Sequence, residues 1–233
     1  MKISINKKLI KRNKLINQVI LYGAIGLVAL GILITLSNTN SKQILIVYLV
    51  LVPAYVLLQI NVFMADKWGR SPRLDEIITI ILKGLDNNYS LYLYTTDIPY
   101  LLIGPAGIWI IKPYRQKGII TYNREKKKYH QQGGGNFLSK FFGQESISDI
   151  DRESAMSRMK LEKYFENQGV NEYPKPLIVN IFYNPDVDVQ VQNAPDPSIK
   201  AIKLKDMIRK FAKNSPPANQ RVQSIIQKLP IGE

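Results

Sequence analysis

The chain has 233 residues, a formal net charge of +14 at pH 7, no cysteine and a single histidine. These counts exclude disulfides, thiol catalysis and cysteine-based metal sites, and with His130 alone they also exclude catalytic triads and two-histidine metal sites. Residues 1–65 hold seven lysines and arginines and no acidic residue, so a basic, apolar segment precedes a polar one. The remaining chain is long enough for one domain with its own core.

Two apolar stretches follow the basic N-terminus at residues 1–14. Residues 15–36 and 44–64 are nearly all apolar, and each has the ~20 residues that a helix needs to cross ~30 Å of hydrocarbon. The alternative for the first stretch is a cleaved signal peptide, whose apolar run is usually ~7–15 residues and ends at a cleavage site. The run here is longer, and a second apolar stretch begins after a short polar turn. We therefore predict a transmembrane helical hairpin over residues 15–64.

The basic residues also predict the orientation of this hairpin. Six lysines and arginines precede the first stretch, one lies in the turn, and Lys67, Arg70 and Arg73 follow the second stretch. The positive-inside rule places both basic flanks in the cytoplasm. We expect two spans in the plasma (inner) membrane with both termini cytoplasmic and the turn at residues 37–43 outside. No ionisable residue lies deep in either stretch, which favours an anchor in the lipid bilayer over a transporter.

The polar and small residues of the hairpin also carry predictions. Asn17 and Gln18 lie near the cytoplasmic edge of the first stretch, Gln59 and Asn61 lie near that of the second, and all four side chains can reach the lipid headgroups. The first stretch has glycines that predict a surface for close helix packing. They are Gly23, Gly26 and Gly31.

Apolar periodicity and turn residues predict the elements of the polar part, which we divide into a linker at residues 65–71, a domain at 72–213 and a C-terminal helix at 214–233. Helices are predicted at 72–85, 149–168, 204–212 and 217–229. Strands are predicted at 89–95, 99–103, 107–111, 118–123, 127–131, 177–183 and 187–191, with a loop at 132–149. A helix, a run of strands, a helix and a further strand indicate a layered α/β or α+β fold.

The second and third of these strands carry a distinctive pattern. Pro99 opens an apolar strand, a Gly-Pro-Ala-Gly turn occupies positions 104–107, the next apolar strand leads to Lys112, and Gly118 follows a basic stretch. The pattern resembles the nuclease-related domain (NERD) family, over roughly residues 72–211. That family is similar to restriction endonucleases of the PD-(D/E)XK type. The resemblance implies a restriction-endonuclease-like α/β sandwich behind the two transmembrane helices.

The resemblance also implies where a catalytic site would lie. The family places an Asp before the Gly-Pro turn and a Glu-x-Lys on the following strand, and the carboxylates hold a divalent metal. The aligned positions here are Pro99, Lys112 and Tyr114, which supply no carboxylate. Asp97 and Glu76 are the fallback carboxylates. We therefore expect a degenerate, non-catalytic domain with no metal and no cofactor.

A run of positive charge surrounds the fourth predicted strand and its turn. Its seven lysines and arginines and one acidic residue, Glu125, give a net charge of +6 within 17 residues. Its members are Lys112, Arg115, Lys117, Arg124, Lys126, Lys127 and Lys128. The run is either a solvated face or a site for anionic lipid or nucleic acid. Interleaved tyrosines at 114, 122 and 129 have the spacing that stacking on bases would need, and they are also ordinary strand residues.

Three functions remain open from the sequence. The first is a non-catalytic, membrane-anchored accessory or scaffold protein with a basic cytoplasmic face. The second is an active metal-dependent nuclease that uses Asp97 and Glu76. The third is a small subunit of a larger membrane complex, with other membrane-protein subunits as partners. The missing carboxylates disfavour the second function.

Overall fold

The computed structural model describes residues 1–37, 41–134, 149–214 and 219–230. Most of the predicted loop at 132–149, part of the turn at 37–43 and parts of the predicted C-terminal helix lie outside the described residues. The chain divides into two compact units. One is Lys7–Leu74, and the other combines Met1–Asn6 with Asp75–Glu233.

The first unit consists of two long apolar helices, α1 at Lys7–Ser37 and α2 at Ser41–Met64, and a π-helical turn at Ala65–Gly69. Both helices are long and apolar enough to cross a membrane. Only 11% of the apolar window in each helix is buried within the protein. A core helix of a soluble protein is mostly buried, so these helices present apolar surface that the described chain does not cover.

The two helices meet along a seam with a seven-residue spacing. The buried residues of α1 are Ile10, Asn17, Ala24 and Gly31, and those of α2 include Ala54 and Asn61. A seven-residue repeat keeps one face of each helix toward its neighbour. At one end of the seam, Asn61 Nδ2 donates to the backbone oxygen of Asn17 at 2.8 Å and to its Oδ1 at 2.9 Å. Asn61 and Asn17 therefore pair with each other between the helices, a contact that the sequence analysis did not predict.

The glycines of α1 differ in their packing. A Cβ on Gly31 would lie 2.8 Å from Cδ2 of Leu51, so a larger residue here would require the Leu51 side chain to shift. Gly23 and Gly26 have nothing within 4 Å of a Cβ. Within this unit, only Gly31 of the three predicted glycines lies at the close helix contact, and the buried residues Ala24 and Ala54 are the other small residues there.

The second unit is a mixed α/β domain with nine described strands in two sheets. They are β1 Lys2–Ile5, β2 Ser90–Leu93, β3 Tyr100–Gly104, β4 Gly107–Tyr114, β5 Gly118–Asn123, β6 Lys128–Gln132, β7 Leu177–Phe182, β8 Val187–Gln190 and β9 Ser198–Lys200. The larger sheet has the order β1-β2-β3-β4-β7-β9, with parallel pairs β1–β2, β4–β7 and β7–β9. The smaller sheet has the order β6-β5-β8.

Helices cover both faces of the larger sheet. The described helices here are α3 Leu74–Leu82, α4 Ile150–Asn167, α5 Leu204–Asn214 and α6 Asn219–Lys228. Ile110 and Ile178 pack with Phe165 of α4 and Ile225 of α6 in one buried cluster. Trp109, whose side chain points to the other face, meets Phe211 of α5 edge to face at 5.1 Å.

The Gly-Pro-Ala-Gly segment forms the predicted tight turn between β3 and β4. Gly107 has a φ of +91°, which disfavours other residues. A Cβ on Gly104 would lie 2.2 Å from the ring of Tyr89. Trp109 Nε1 donates to the carbonyl oxygen of Ala106 at 2.9 Å and closes the turn. The pattern thus has a structural cause in ring packing and backbone conformation.

Two strands were not predicted. β1 lies in the segment expected to be a basic tail, and it pairs in parallel with β2 through Lys2 opposite Ser90 to Ile5 opposite Leu93. β9 has three residues and pairs with β7. Helix α3 begins at Leu74 rather than at residue 72, with Asp75 and Glu76 in its first turn.

Candidate functional site: a buried polar layer and an exposed basic hairpin tip

A row of polar side chains crosses three neighbouring strands of the larger sheet. Lys112 of β4 is paired with Asn180 of β7, and Asn180 is paired with Ser198 of β9. Directly paired residues point to the same face of a sheet, so these three side chains lie in one line. Asn180 Nδ2 donates to Ser198 Oγ at 3.2 Å.

Apolar residues lie on both sides of this row. On β4, Ile110 belongs to one buried apolar cluster and Tyr114 to a second. On β7, Ile178 belongs to the first cluster and Phe182 to the second. Lys112 and Asn180 lie between them, because side chains two residues apart share a face. The polar residues therefore form a layer between two apolar clusters.

Helix α4 supplies the other half of the layer. Its N-cap is Asp149, whose side chain accepts a hydrogen bond from the backbone N–H of Arg152 at 3.2 Å. Glu153, in the first turn, accepts from Lys112 Nζ at 3.0 Å and from the Tyr114 hydroxyl at 3.0 Å. One turn further, Arg158 forms an ion pair with the buried Asp196. Helix α4 thus pairs its Glu153 with Lys112 of the sheet, and its Arg158 with Asp196.

The ionisation of these groups follows from their burial. Burial lowers the pKa of the Lys112 ammonium from 10.5, and the hydrogen bond and charge of Glu153 oppose that shift. Burial raises the pKa of the Tyr114 phenol, and the charge of Glu153 raises it further. Burial raises the pKa of Tyr129 to about 12, although its hydroxyl lies 2.9 Å from Ser198 Oγ. Lys112 Nζ lies 3.0 Å from a carboxylate oxygen of Glu153, and the phenols of Tyr114 and Tyr129, both with raised pKa, belong to the same region of the domain.

Some atoms of the layer have no hydrogen-bond partner in the part of the chain that the structure describes. They include Oδ1 of Asn180, which is 0% exposed, and Oγ of Ser154, which is 1% exposed. Buried polar atoms usually have a hydrogen-bond partner, so these two atoms are exceptions within the described chain.

The aligned positions of the family's catalytic residues fall beside this layer. The register of β3 and β4 pairs Leu101 with Ile110. Pro99 precedes β3, which begins at Tyr100, and Lys112 lies on β4 two residues beyond Ile110. Lys112 is the position at which the resemblance expects a metal-binding glutamate, and its ammonium is paired with Glu153. Among the described residues, no group of three or more His, Asp or Glu side chains could hold a metal ion.

The fallback carboxylates lie elsewhere in the domain. Asp97 is exposed in the turn between β2 and β3, near the phenol of Tyr164, whose pKa is raised by burial and by that carboxylate. Glu76 is half-buried in the first turn of α3.

The predicted run of positive charge divides into two groups. Lys112 is an internal member of the polar layer. Arg115 and Lys117 lie between β4 and β5, where their backbone oxygens accept from Asn184 at 3.1 Å and from Gln131 at 2.8 Å. The four other cations are exposed around the β5–β6 turn. These four, which we call the hairpin tip, are Arg124, Lys126, Lys127 and Lys128.

The interleaved tyrosines point into the domain's own contacts. Tyr114 is buried and stacks on Phe182 with a centroid distance of 5.5 Å. Tyr122 and Tyr129 meet each other edge to face at 5.0 Å. The Tyr122 hydroxyl donates to Asp151 at 3.1 Å. Each of the three rings therefore already has partners within the domain, as ordinary strand residues do.

The sequence analysis missed most of the layer. Glu153 and Ser154 are unremarkable in an amphipathic helix, and Ser198 lies in a strand that was not predicted. Asn180 did carry a signal, because it is the single polar residue in the centre of the apolar strand Leu177–Phe182. A polar residue at such a position indicates a polar partner across the core.

Comparison of the chain with known proteins adds no relative. No family model, no curated protein and no solved structure matches it.

Proposed function

We propose that this chain is a membrane-anchored, non-catalytic accessory protein, with a NERD-like domain of the restriction-endonuclease-like class that presents its hairpin tip to anionic lipid. The observation that carries the non-catalytic reading is the ion pair between Lys112 and Glu153. An ammonium stands where the resemblance requires a metal-binding carboxylate, and its charge is already used within the fold.

The uncovered apolar surface of α1 and α2 supports a bilayer anchor. Large apolar side chains on these helices are more than half exposed, among them Leu33 at 64%, Leu45 at 71% and Phe63 at 80%. Exposing such surface to water would cost about 25 cal/mol for each Å². A bilayer removes that cost, and two helices of this length suit its thickness.

The position of β1 supports the proposed topology. β1 precedes α1, and its partner β2 follows α2, yet both belong to one sheet. If both helices span the bilayer, the segments before and after them must then lie on the same side. The basic flanks favour the cytoplasmic side of the plasma (inner) membrane.

The tip's occupant is argued from charge and from the tyrosines. The four exposed cations complement an anionic surface. The cytoplasmic leaflet is such a surface, and the two helices would keep the domain close to it. Nucleic acid would be drawn by the same charge, but binding of single strands is usually strengthened by free aromatic rings. Tyr122 and Tyr129 are engaged with each other and with Asp151 and Ser198. We therefore assign the tip to anionic headgroups and treat nucleic acid as the competing outcome.

The test uses the whole chain in lipid nanodiscs. Because the chain has no cysteine, Glu125→Cys allows a polarity-sensitive fluorophore to be attached within the tip. We expect a blue shift in discs that contain phosphatidylglycerol and none in discs of phosphatidylcholine alone. Each cation near the surface contributes ~1 kcal/mol, so neutralising the four should remove nearly all of the shift, and added salt should weaken it in the unaltered chain.

A matched variant controls for net charge. Arg152, Lys160, Lys163 and Lys175 are also one arginine and three lysines, exposed and outside the tip, and neutralising them should leave the shift in place. The absence of a shift in anionic discs would refute the lipid assignment. A second result would make nucleic acid the partner of the tip in place of lipid. In this result, the chain in phosphatidylcholine discs binds an oligonucleotide, and the variant with the four tip cations neutralised does not.

A further inference from the structure

A second cationic element lies far from the hairpin tip in the sequence. Residues 200–213 contain six lysines and arginines and one acidic residue. Helix α5 carries four of these cations, and its Leu204 and Ile208 are buried in the domain. The opposite face of α5 is polar, and part of it borders a cavity.

The cavity has a volume of about 680 Å³. Its walls are the turn before β2 and one side of α5. They are lined by Leu85, Asp86, Tyr89, Asp206, Arg209, Lys210, Ala212 and Lys213. Pockets that bury small molecules generally have ~300–1,000 Å³, with apolar walls and a few fixed polar groups. We call this cavity the α5 cleft.

Contacts on both walls hold the cleft open in its present form. Arg209 Nη2 donates to the carbonyl oxygen of Gly84 at 2.8 Å, which fixes the guanidinium while leaving its other N–H groups for a ligand. Phe211 anchors α5 against Trp109. On the opposite wall, the ring of Tyr89 is seated against Gly104. The site is therefore largely formed before any ligand binds.

The charges of α5 are ordered along the cleft. Asp206 lies in the first turn of the helix, and Lys213 in the last. Seven residues correspond to about 10 Å along a helix, with Arg209 and Lys210 between. Residues three or four apart share a helix face, so one acidic end is followed by three cations. Asp86 adds a second carboxylate, and Leu85 and Tyr89 supply apolar wall.

This order of groups selects a class of ligand. Guanidinium and ammonium groups bind phosphate oxygens through charge-assisted hydrogen bonds. Carboxylates can only accept, so they need hydroxyl or amine donors from the ligand. We propose that the α5 cleft binds a phosphoester that carries free hydroxyl groups, with the phosphate at Arg209, Lys210 and Lys213 and the hydroxyls at the carboxylates. Such a group can belong to a soluble sugar phosphate or to a glycerol headgroup of a lipid.

The test is calorimetric titration of the whole chain in phosphatidylcholine nanodiscs with three probes, namely ribose 5-phosphate, inorganic phosphate and ribose. Ribose 5-phosphate should bind at least about ten-fold more tightly than either of the others, since each charge-assisted hydrogen bond is worth more than that factor. Lys210→Gln with Lys213→Gln should weaken it by at least about ten-fold. Asp206→Asn should instead reduce the ratio between the affinity for ribose 5-phosphate and the affinity for inorganic phosphate.

Lys200→Gln with Lys203→Gln is the matched control, because it removes two cations of the same segment that do not line the cleft. This pair should leave binding unchanged. Repeating the titration in phosphatidylglycerol discs separates the sources. Reduced binding there assigns the cleft to the lipid headgroup, and unchanged binding assigns it to the soluble phosphoester. Equal loss in the cleft and control pairs, or no preference for ribose 5-phosphate in a folded chain, would overturn the proposal.

Discussion

Lys112 and Lys127 belong to one run of positive charge in the sequence, and the fold gives them opposite environments. The Lys112 side chain is 14% exposed and paired with Glu153, between two apolar clusters. Lys127 is exposed at a turn with a φ of +49°. The charge of Lys112 is paired within the domain, whereas the charge of Lys127 is exposed at the surface. A count of charges along a chain therefore overestimates the cations that are open to a partner.

The largest effect that separates these regions is expected from Glu153→Ala. The change leaves the buried Lys112 ammonium and the Tyr114 hydroxyl without their shared acceptor. Removing one partner of a fully buried pair costs about 3–5 kcal/mol. Because the Glu153 side chain is 42% exposed, we expect about 2 kcal/mol here. Denaturant unfolding of the domain within the whole chain in mild detergent, followed by tryptophan fluorescence, measures the loss.

Glu162→Ala is the matched control for that variant, since Glu162 is exposed on the same helix. It should change stability by less than about 0.5 kcal/mol. Neutralising the hairpin tip should likewise leave stability nearly unchanged. Comparable destabilisation by Glu153→Ala and Glu162→Ala would show that the ion pair is not a structural element.

The second prediction concerns pH. The pKa of Lys112 is lowered in the folded state by burial, so the unfolded chain binds this proton more tightly. Stability from this group therefore rises as the pH increases through the lowered pKa. Glu153→Gln removes the charge that opposes the shift, so the stability deficit of this variant should narrow as the pH rises toward 10.5, the ordinary pKa of the ammonium. In a Lys112→Met background the same substitution should show no such narrowing, and equal slopes in both backgrounds would contradict the assignment.

Part of this architecture was predictable because it depends on local patterns. The strand at 118–123 was predicted with the bounds of β5, and the strand at 177–183 contains β7. The tight turn before Gly107 was also predicted, because only a few residues accept its backbone conformation. Alternation of apolar residues and turn signals are visible within ten residues of sequence.

The rest depends on pairings between distant segments. β1 has only four residues in a basic context, and its partner β2 lies more than eighty residues away. The pairing of Asn17 with Asn61 and the polar layer likewise require the tertiary structure. A fragment that begins after α2 would lack β1, which is why the experiments use the whole chain.

A smaller effect is expected in the helix pair, where Asn61 and Asn17 form a buried polar contact. Asn61→Leu removes both hydrogen bonds to Asn17. Interhelical hydrogen bonds in membranes contribute about 0.6–2 kcal/mol, so we expect a loss of about 1 kcal/mol. Unfolding of the chain by titration with sodium dodecyl sulfate, followed by circular dichroism, measures it. Gln18→Leu, at an exposed position of α1, should have little effect; an equal loss there would argue against the pair.

The smallest expected effect is in a nuclease assay. With Lys112 at the position where the resemblance expects a metal ligand, we expect that the whole chain does not nick plasmid DNA in Mg²⁺ or Mn²⁺, because Mg²⁺ needs several oxygen ligands to replace its water. The Asp97→Ala, Glu76→Ala double variant should behave in the same way. Metal-dependent nicking by the unaltered chain that the double variant loses would restore the nuclease hypothesis.

The most direct test of the account is the sidedness of single cysteines, which the cysteine-free chain allows without background. Lys11→Cys, Ser37→Cys and Lys163→Cys place a thiol at exposed positions before, between and after the apolar stretches. In intact cells, a membrane-impermeant maleimide should label the Ser37→Cys chain alone. The other two should react only after permeabilisation. Labelling of the Lys11→Cys and Lys163→Cys chains on opposite sides, or equal labelling of all three in intact cells, would contradict a two-span anchor with a cytoplasmic domain.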